Sequence, residues 1–141
     1  MPLSRSILVA TDFSDAAEHG LHKARAVAAD TGAKVTVCHV VDPSPLAPRG
    51  AEEDLEKSLH AALTKVIETH FSEVEETKTA LIISPTPAEG ICHYAEKEDT
   101  DLIVLSTHGR SGLAHLLIGS VAERVVRIAP CPVLTVRAPL N

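Results

Sequence analysis

Aromatic side chains are almost missing from this sequence, which holds two Phe, one Tyr and no Trp in 141 residues. The core must be packed from Val, Ile, Leu and Ala, and there are few rings on which nucleobases could stack. Clustered positive charge is missing as well. Thirteen Lys and Arg against 19 Asp and Glu give a formal net charge of -6, with no basic run to neutralise a phosphate backbone, which excludes a general DNA- or RNA-binding protein. The three cysteines, Cys38, Cys92 and Cys131, are far apart and in no C-x-x-C spacing. Neither a disulfide framework nor a zinc knuckle is indicated, and a reducing compartment fits. No apolar run approaches the roughly 18 residues of a membrane span, and MPLSRSILVATD lacks the apolar stretch and cleavage site of a signal peptide. The expectation is a cytoplasmic protein with no membrane partner.

Signatures of catalysis are absent too. There is no G-x-x-x-x-G-K-[ST] loop and no G-x-G-x-x-G fingerprint. Ser111 sits in G-R-S-G, which is not the nucleophile elbow, so no catalytic residue is nominated. His19 with His22, and Cys92 with His93, have no third ligand at a suitable spacing and read as solvated helix faces rather than metal sites.

What is present is a strand–helix alternation on the scale of one domain over residues 1–141. Ile7-Leu8-Val9-Ala10 is an uninterrupted apolar run ending in Thr11-Asp12, as expected of a strand buried on both faces of a parallel sheet. Ser14 or Asp15 is placed to cap a helix carrying Ala17, Leu21, Ala24 and Ala28 as far as Gly32, with Asp15 and Glu18 at capping-box spacing. Val35 to Val41 is β-branched and predicts a second strand, and the proline-rich 42–50 a loop. From Glu52 to Phe71, Leu55, Leu59, Ala62, Val66 and His70 share one helical face. Thr77 to Ile83 predicts a third strand, Ala88 to Lys97 a helix, Leu102 to Leu105 a fourth strand, Val121 to Ile128 a helix and Val133 to Val136 a fifth strand. This is an α/β fold, a single open doubly wound five-stranded parallel sheet with four helices. In the order 3-2-1-4-5 the winding reverses between strands one and four, and the ligand crevice of such sheets lies at that reversal. Thr11-Asp12 then stands beside Ser106 to Gly109.

The segment Ser106 to Ser120, STHGRSGLAHLLIGS, leads from the fourth strand to the fourth helix. A glycine-bearing loop that ends at a helix N-terminus offers backbone N–H donors and a positive dipole end to an anion. Gly109 and Gly112 suit a backbone that takes positive φ or lies close to a ligand, and Gly119 would let a phosphate approach. Arg110 is the only formal charge between Asp101 and Glu123, in a chain that is otherwise acidic. Ser120 and Glu123 have capping-box spacing, a role compatible with phosphate binding. Asp12 is placed either to accept a hydrogen bond from an amine or ribose or to hold a turn. His108 either meets a phosphate or decorates the loop.

These residues resemble the universal stress protein family over nearly the whole chain: ILVATDFS, HVVD, DLIVLSTHGRSGLAHLLIGSVAERVV and APCPVLTVR. Nucleotide-binding members carry Gly, two residues, Gly, nine residues, Gly and then Ser or Thr. Gly109, the stretch Arg110 to Ile118 and Gly119-Ser120 match that pattern, whereas Ser106 replaces its first glycine. The resemblance implies that Asp12 holds the adenine or its ribose, with Ala10 and Thr11 beside it and Val40 offering backbone contacts to the base. It implies that Thr107, His108, Gly109, Gly119, Ser120 and Val121 line the ribose and phosphates, and that a Ser106 side chain stands beside them. Pro85-Thr86-Pro87 falls where the family often has Gly-x-Pro near the adenine. The expected ligand is ATP or AMP, with Mg carried by the phosphates. The expected partners are a second copy, paired through the last strand Val133 to Val136, and a further protein that the residues do not name. A slow ATPase, or a dimeric interaction protein that binds no nucleotide, are the alternatives left open.

Overall fold

The computed structural model describes residues 5–43, 51–108 and 119–137. Along them strands and helices alternate as β1 (Ser6–Ala10), α1 (Ala17–Thr31), β2 (Lys34–Val41), α2 (Ala51–His70), β3 (Thr77–Ile83), α3 (Pro87–Lys97), β4 (Leu102–Ser106), α4 (Ser120–Ile128) and β5 (Val133–Val136). The strands form one parallel sheet in the order β3-β2-β1-β4-β5, as expected. Leu8 is in register with Thr36 on one side and Ile103 on the other, so β1 lies at the centre. Its side chains alternate between two apolar layers. Leu8 joins Cys38, Ile91, Ile103, Leu105 and Val125 beneath α3 and α4, whereas Ile7 and Val9 join Leu21, Ala24, Val37, Leu63 and Val104 beneath α1 and α2. Each fully buried Val, Leu or Ile contributes about 1.5–3 kcal/mol. This layering, rather than surface ion pairing, holds the helices on the sheet.

Local details depart from the sequence expectations in three places. No Asp15–Glu18 capping box opens α1. Its N-cap residue Ala16 is already helical, and the Ala17 N–H is taken by the Ser14 carbonyl and the Ser14 hydroxyl, each at 3.2 Å. At α4 the N-cap is Gly119, not Ser120, and Glu123 turns away to accept from Arg127 at 2.6 Å. In α2 the most buried residue is Leu63, while Leu55 is 49% exposed. The side chains that pack from this helix lie between Leu63 and Ile67, because its opening turns do not rest on the sheet. Gly32 ends α1 as read, with φ of 73° and its N–H bonded to the Ala28 carbonyl at 2.8 Å. Cys38, Cys92 and Cys131 are free thiols. Burial pushes the Cys38 thiol up to about 12.

The contact between α1 and the end of α2 is pH-sensitive. The His70 side chain is 11% exposed, with Nε2 3.8 Å from the Glu18 carboxylate and its ring centroid 5.2 Å from that of His22. Burial, reinforced by His22 and Arg25 and opposed by Glu18, holds the His70 pKa below its ordinary value of 6.5. The unfolded chain therefore takes up this proton at a higher pH than the folded one. The stability contributed by neutral His70 is complete above 6.5 and is lost as the pH falls through the lower folded value. We expect the urea midpoint to drop as the pH is lowered below about 6.5, and His70→Gln to flatten that dependence. An equal slope in the variant would place the acid sensitivity elsewhere.

Candidate functional site

A crevice of about 280 Å³ opens at the carboxyl ends of β1 and β4, where the sheet reverses its winding. Ala10, Thr11 and Asp12 enter it from β1, Val40 from β2, Ser106, Thr107 and His108 from β4, and Gly119, Ser120 and Val121 from the start of α4. All ten are residues the sequence nominated. Gly109, Arg110 and Gly112 lie outside the described residues.

The β1 side is a network of local turns. The Thr11 N–H continues the ladder to the Cys38 carbonyl at 2.9 Å, and the Thr11 hydroxyl, almost fully buried, accepts the Phe13 N–H at 3.0 Å. That bond supports Phe13 in the left-handed region, with φ of 64°. Asp12 Oδ1 accepts the Ser14 N–H at 3.0 Å and also the Ser14 hydroxyl. The Asp12 carboxylate holds a turn, and the residue lines the crevice.

The β4 side is held by backbone bonds. The Thr107 N–H donates to the Val136 carbonyl at 2.9 Å, and the Thr107 carbonyl accepts the Gly119 N–H. A Cβ on Gly119 would lie 2.6 Å from that carbonyl oxygen, so glycine is required by close packing of α4 on β4. The expectation that the missing side chain serves the approach of a phosphate is compatible with this contact. Gly119 has extended backbone angles of -74° and 163° and supplies no side-chain cap. The first intrahelical bond of α4 is from the Glu123 N–H to the Gly119 carbonyl, at 2.9 Å. The Ser120, Val121 and Ala122 N–H groups thus have no acceptor within the helix, and they lie at the crevice. His108 Nδ1 is 3.2 Å from the Thr107 hydroxyl, which orients its ring on the same rim.

Ser106 borders the crevice, and its hydroxyl accepts the Gly20 N–H of α1 at 3.0 Å. The reason is strand alternation: Val104 and Ser106 face α1, while Leu105 faces α3 and α4.

Several residues of the crevice were not nominated as site residues. Ile91, Leu105 and Ala122 form an apolar wall with Val40, and Pro87 joins them while Pro85 does not. His39 is the chemically active omission. Its Nδ1 lies 2.8 Å from the Thr11 carbonyl, an acceptor only, so Nδ1 carries the proton. Its ring packs on Phe13 with centroids 4.8 Å apart. A polar residue inside the apolar run of β2 was the available signal. Among the described residues, the crevice is lined by one carboxylate, two histidines and no Lys or Arg. Among the described residues, the positive dipole end of α4 is the part of this lining that favours an anion.

Comparison with known proteins agrees with this geometry. The profile of the Universal stress protein family matches residues 4–137. Universal stress protein MJ0531 of Methanocaldococcus jannaschii is 37% identical over 97% of this chain and 84% of its own. The structure of MJ0577 from the same organism superposes with a TM-score of 0.80 at 29% identity, covering 99% of each chain. A universal stress protein from Archaeoglobus fulgidus, solved in complex with dAMP, superposes with a TM-score of 0.69 at 26% identity, covering 95% of this chain and 98% of its own.

Proposed function

Because the chain belongs to the universal stress protein family, we propose that its crevice binds an adenine nucleotide, ATP or AMP, in a dimeric regulatory protein of the stress response. One observation carries the reading. The Asp12 carboxylate, the first turn of α4 and the apolar side chains of Val40, Pro87 and Ile91 line one crevice at the reversal point of the sheet. A nucleotide has matching groups: a hydroxyl-bearing ribose for Asp12, a flat base for Val40, Pro87 and Ile91, and phosphates for the N–H groups of residues 120–122. The dAMP complex of the Archaeoglobus fulgidus relative supports the same class of ligand. In this reading Thr107 and His108 form the phosphate rim, and Gly109, Arg110 and Gly112 continue it. In this reading a Mg ion is carried by the phosphates.

The proposed second copy pairs along β5. All four residues Val133 to Val136 are only partly buried, and among the described residues this strand ends the sheet. Because the Thr107 N–H donates to Val136, the crevice and that edge share a backbone bond. Among the described residues no helix is long and apolar enough to cross a membrane, and the cytoplasm is the proposed location.

The deciding measurement is calorimetric titration with ATP, AMP and GTP, with sedimentation run in parallel. We expect saturable binding of the adenine nucleotides below about millimolar concentration and a dimer throughout. No heat with ATP or AMP at that concentration would overturn the nucleotide reading.

A further inference from the structure

We propose that Ser106 is a positioning residue for the crevice: its hydroxyl, seated against Gly20, fixes the first turn of α1 and, through it, the turn that carries Asp12. The binding consequence rests on the nucleotide reading above; the structural coupling does not.

The opening of α1 is weakly held by its own backbone. The Ala17, Glu18 and His19 N–H groups reach the carbonyls three residues earlier at 3.2, 3.2 and 3.4 Å, long bonds of the tight-turn type. The next donor, the Gly20 N–H, goes to the Ser106 hydroxyl at 3.0 Å, across 86 residues of sequence. A helix end usually finds its acceptor in a neighbouring side chain of its own segment. Here β4 supplies it from below.

The two residues are matched in shape as well as in bonding. A Cβ at position 20 would stand 3.0 Å from the Ser106 oxygen and 3.2 Å from the Ser106 nitrogen. Glycine makes room for the hydroxyl, and the hydroxyl accepts the N–H that glycine brings close. Gly20 has no special backbone angle to account for it. Its role lies in this contact.

From that anchor a short chain of bonds runs to the crevice mouth. The Ala17 N–H donates to the Ser14 hydroxyl, which in turn donates to Asp12 Oδ1, and the Ser14 N–H donates to the same oxygen. Displacing the start of α1 therefore moves the Ser14 donors that orient Asp12. The serine that interrupts the family's glycine pattern acts on the site from behind, through the helix.

The test is a double-variant cycle of Ser106→Gly, Gly20→Ala and the pair together, with Ser106→Ala removing only the hydroxyl. Each protein is measured by urea unfolding, by amide hydrogen exchange at residues 14 and 20, and by ATP titration. We expect Ser106→Ala to speed exchange at both amides and to weaken ATP binding about fivefold or more, as for a buried donor left without its acceptor. Gly20→Ala alone should unfold at lower urea, and the pair should lie closer to the parent than the sum of the single changes, because the methyl group added at position 20 occupies the space the hydroxyl leaves. Additive effects on stability, or faster exchange at residue 20 with unchanged exchange at residue 14 and unchanged ATP affinity, would overturn the proposal. A parent protein that binds no adenine nucleotide would overturn the reading of the crevice, and the exchange at residue 14 would then decide the coupling.

Discussion

Gly119→Ala is expected to lower the unfolding midpoint by several degrees and to weaken ATP binding at least about tenfold, both in the same protein. The added Cβ would lie 2.6 Å from the Thr107 carbonyl oxygen, a distance that forces α4 and the end of β4 apart. Thr107 cannot yield freely, since its own N–H is bonded to Val136. The backbone angles at Gly119 are open to any residue, so the effect comes from this contact and not from a disfavoured φ. Overpacking of this kind costs about 1–3 kcal/mol. Affinity falls with stability because the bond from Gly119 to Thr107 is what places the first N–H groups of α4 at the crevice. Gly119→Val should be worse in both respects. If thermal unfolding and ATP titration of Gly119→Ala showed lost affinity at unchanged stability, the residue would act only by leaving space for phosphate. Lost stability with full affinity in the folded fraction would remove α4 from the binding site.

Asp12→Ala should reduce ATP affinity by about 10- to 100-fold, the range expected when hydrogen bonds to a charged acceptor are removed. Two contributions are combined in that figure. The carboxylate accepts from the Ser14 N–H and hydroxyl, which sets the turn into α1, and in the proposed complex it also accepts from the ribose. Asp12→Asn separates them, because an amide oxygen can still accept from Ser14 but carries no charge. We expect the asparagine variant to keep the parent's unfolding midpoint while binding ATP several-fold more weakly. Parent-like affinity in Asp12→Asn, with loss only in Asp12→Ala, would limit Asp12 to holding the turn.

Much of the fold is legible in the residues themselves. The apolar runs Ile7 to Ala10 and Leu102 to Leu105, buried on both faces, are what the centre of a parallel sheet requires, and the intervening 3.6-residue patterns supply its crossovers. Reversal of winding between β1 and β4 then brings Thr11-Asp12 to the β4 loop, where the crevice is found. Capping was read less well for a physical reason. Ser120 and Glu123 have the spacing of a capping box, but spacing does not say which turn begins the helix or that Arg127 will engage the glutamate. The α2 periodicity placed Leu55 on the packed face and did not name Leu63, and only the line along which the helix meets the sheet separates them.

Ser106 shows the same boundary most clearly. As a letter in a glycine-patterned loop it belongs beside a ligand, and strand alternation turns its hydroxyl toward α1 and Gly20. The sequence by itself determined the element order and the α/β class, because these depend on periodicity and polarity along contiguous stretches, while the family resemblance pointed to ten of the residues that line the crevice. The tertiary structure alone decided which contacts those residues make there. That Gly119 packs against the Thr107 carbonyl, and that His39 clasps the Thr11 carbonyl, depends on contacts between distant segments. Their geometry is set by how the layers pack, which no local pattern contains.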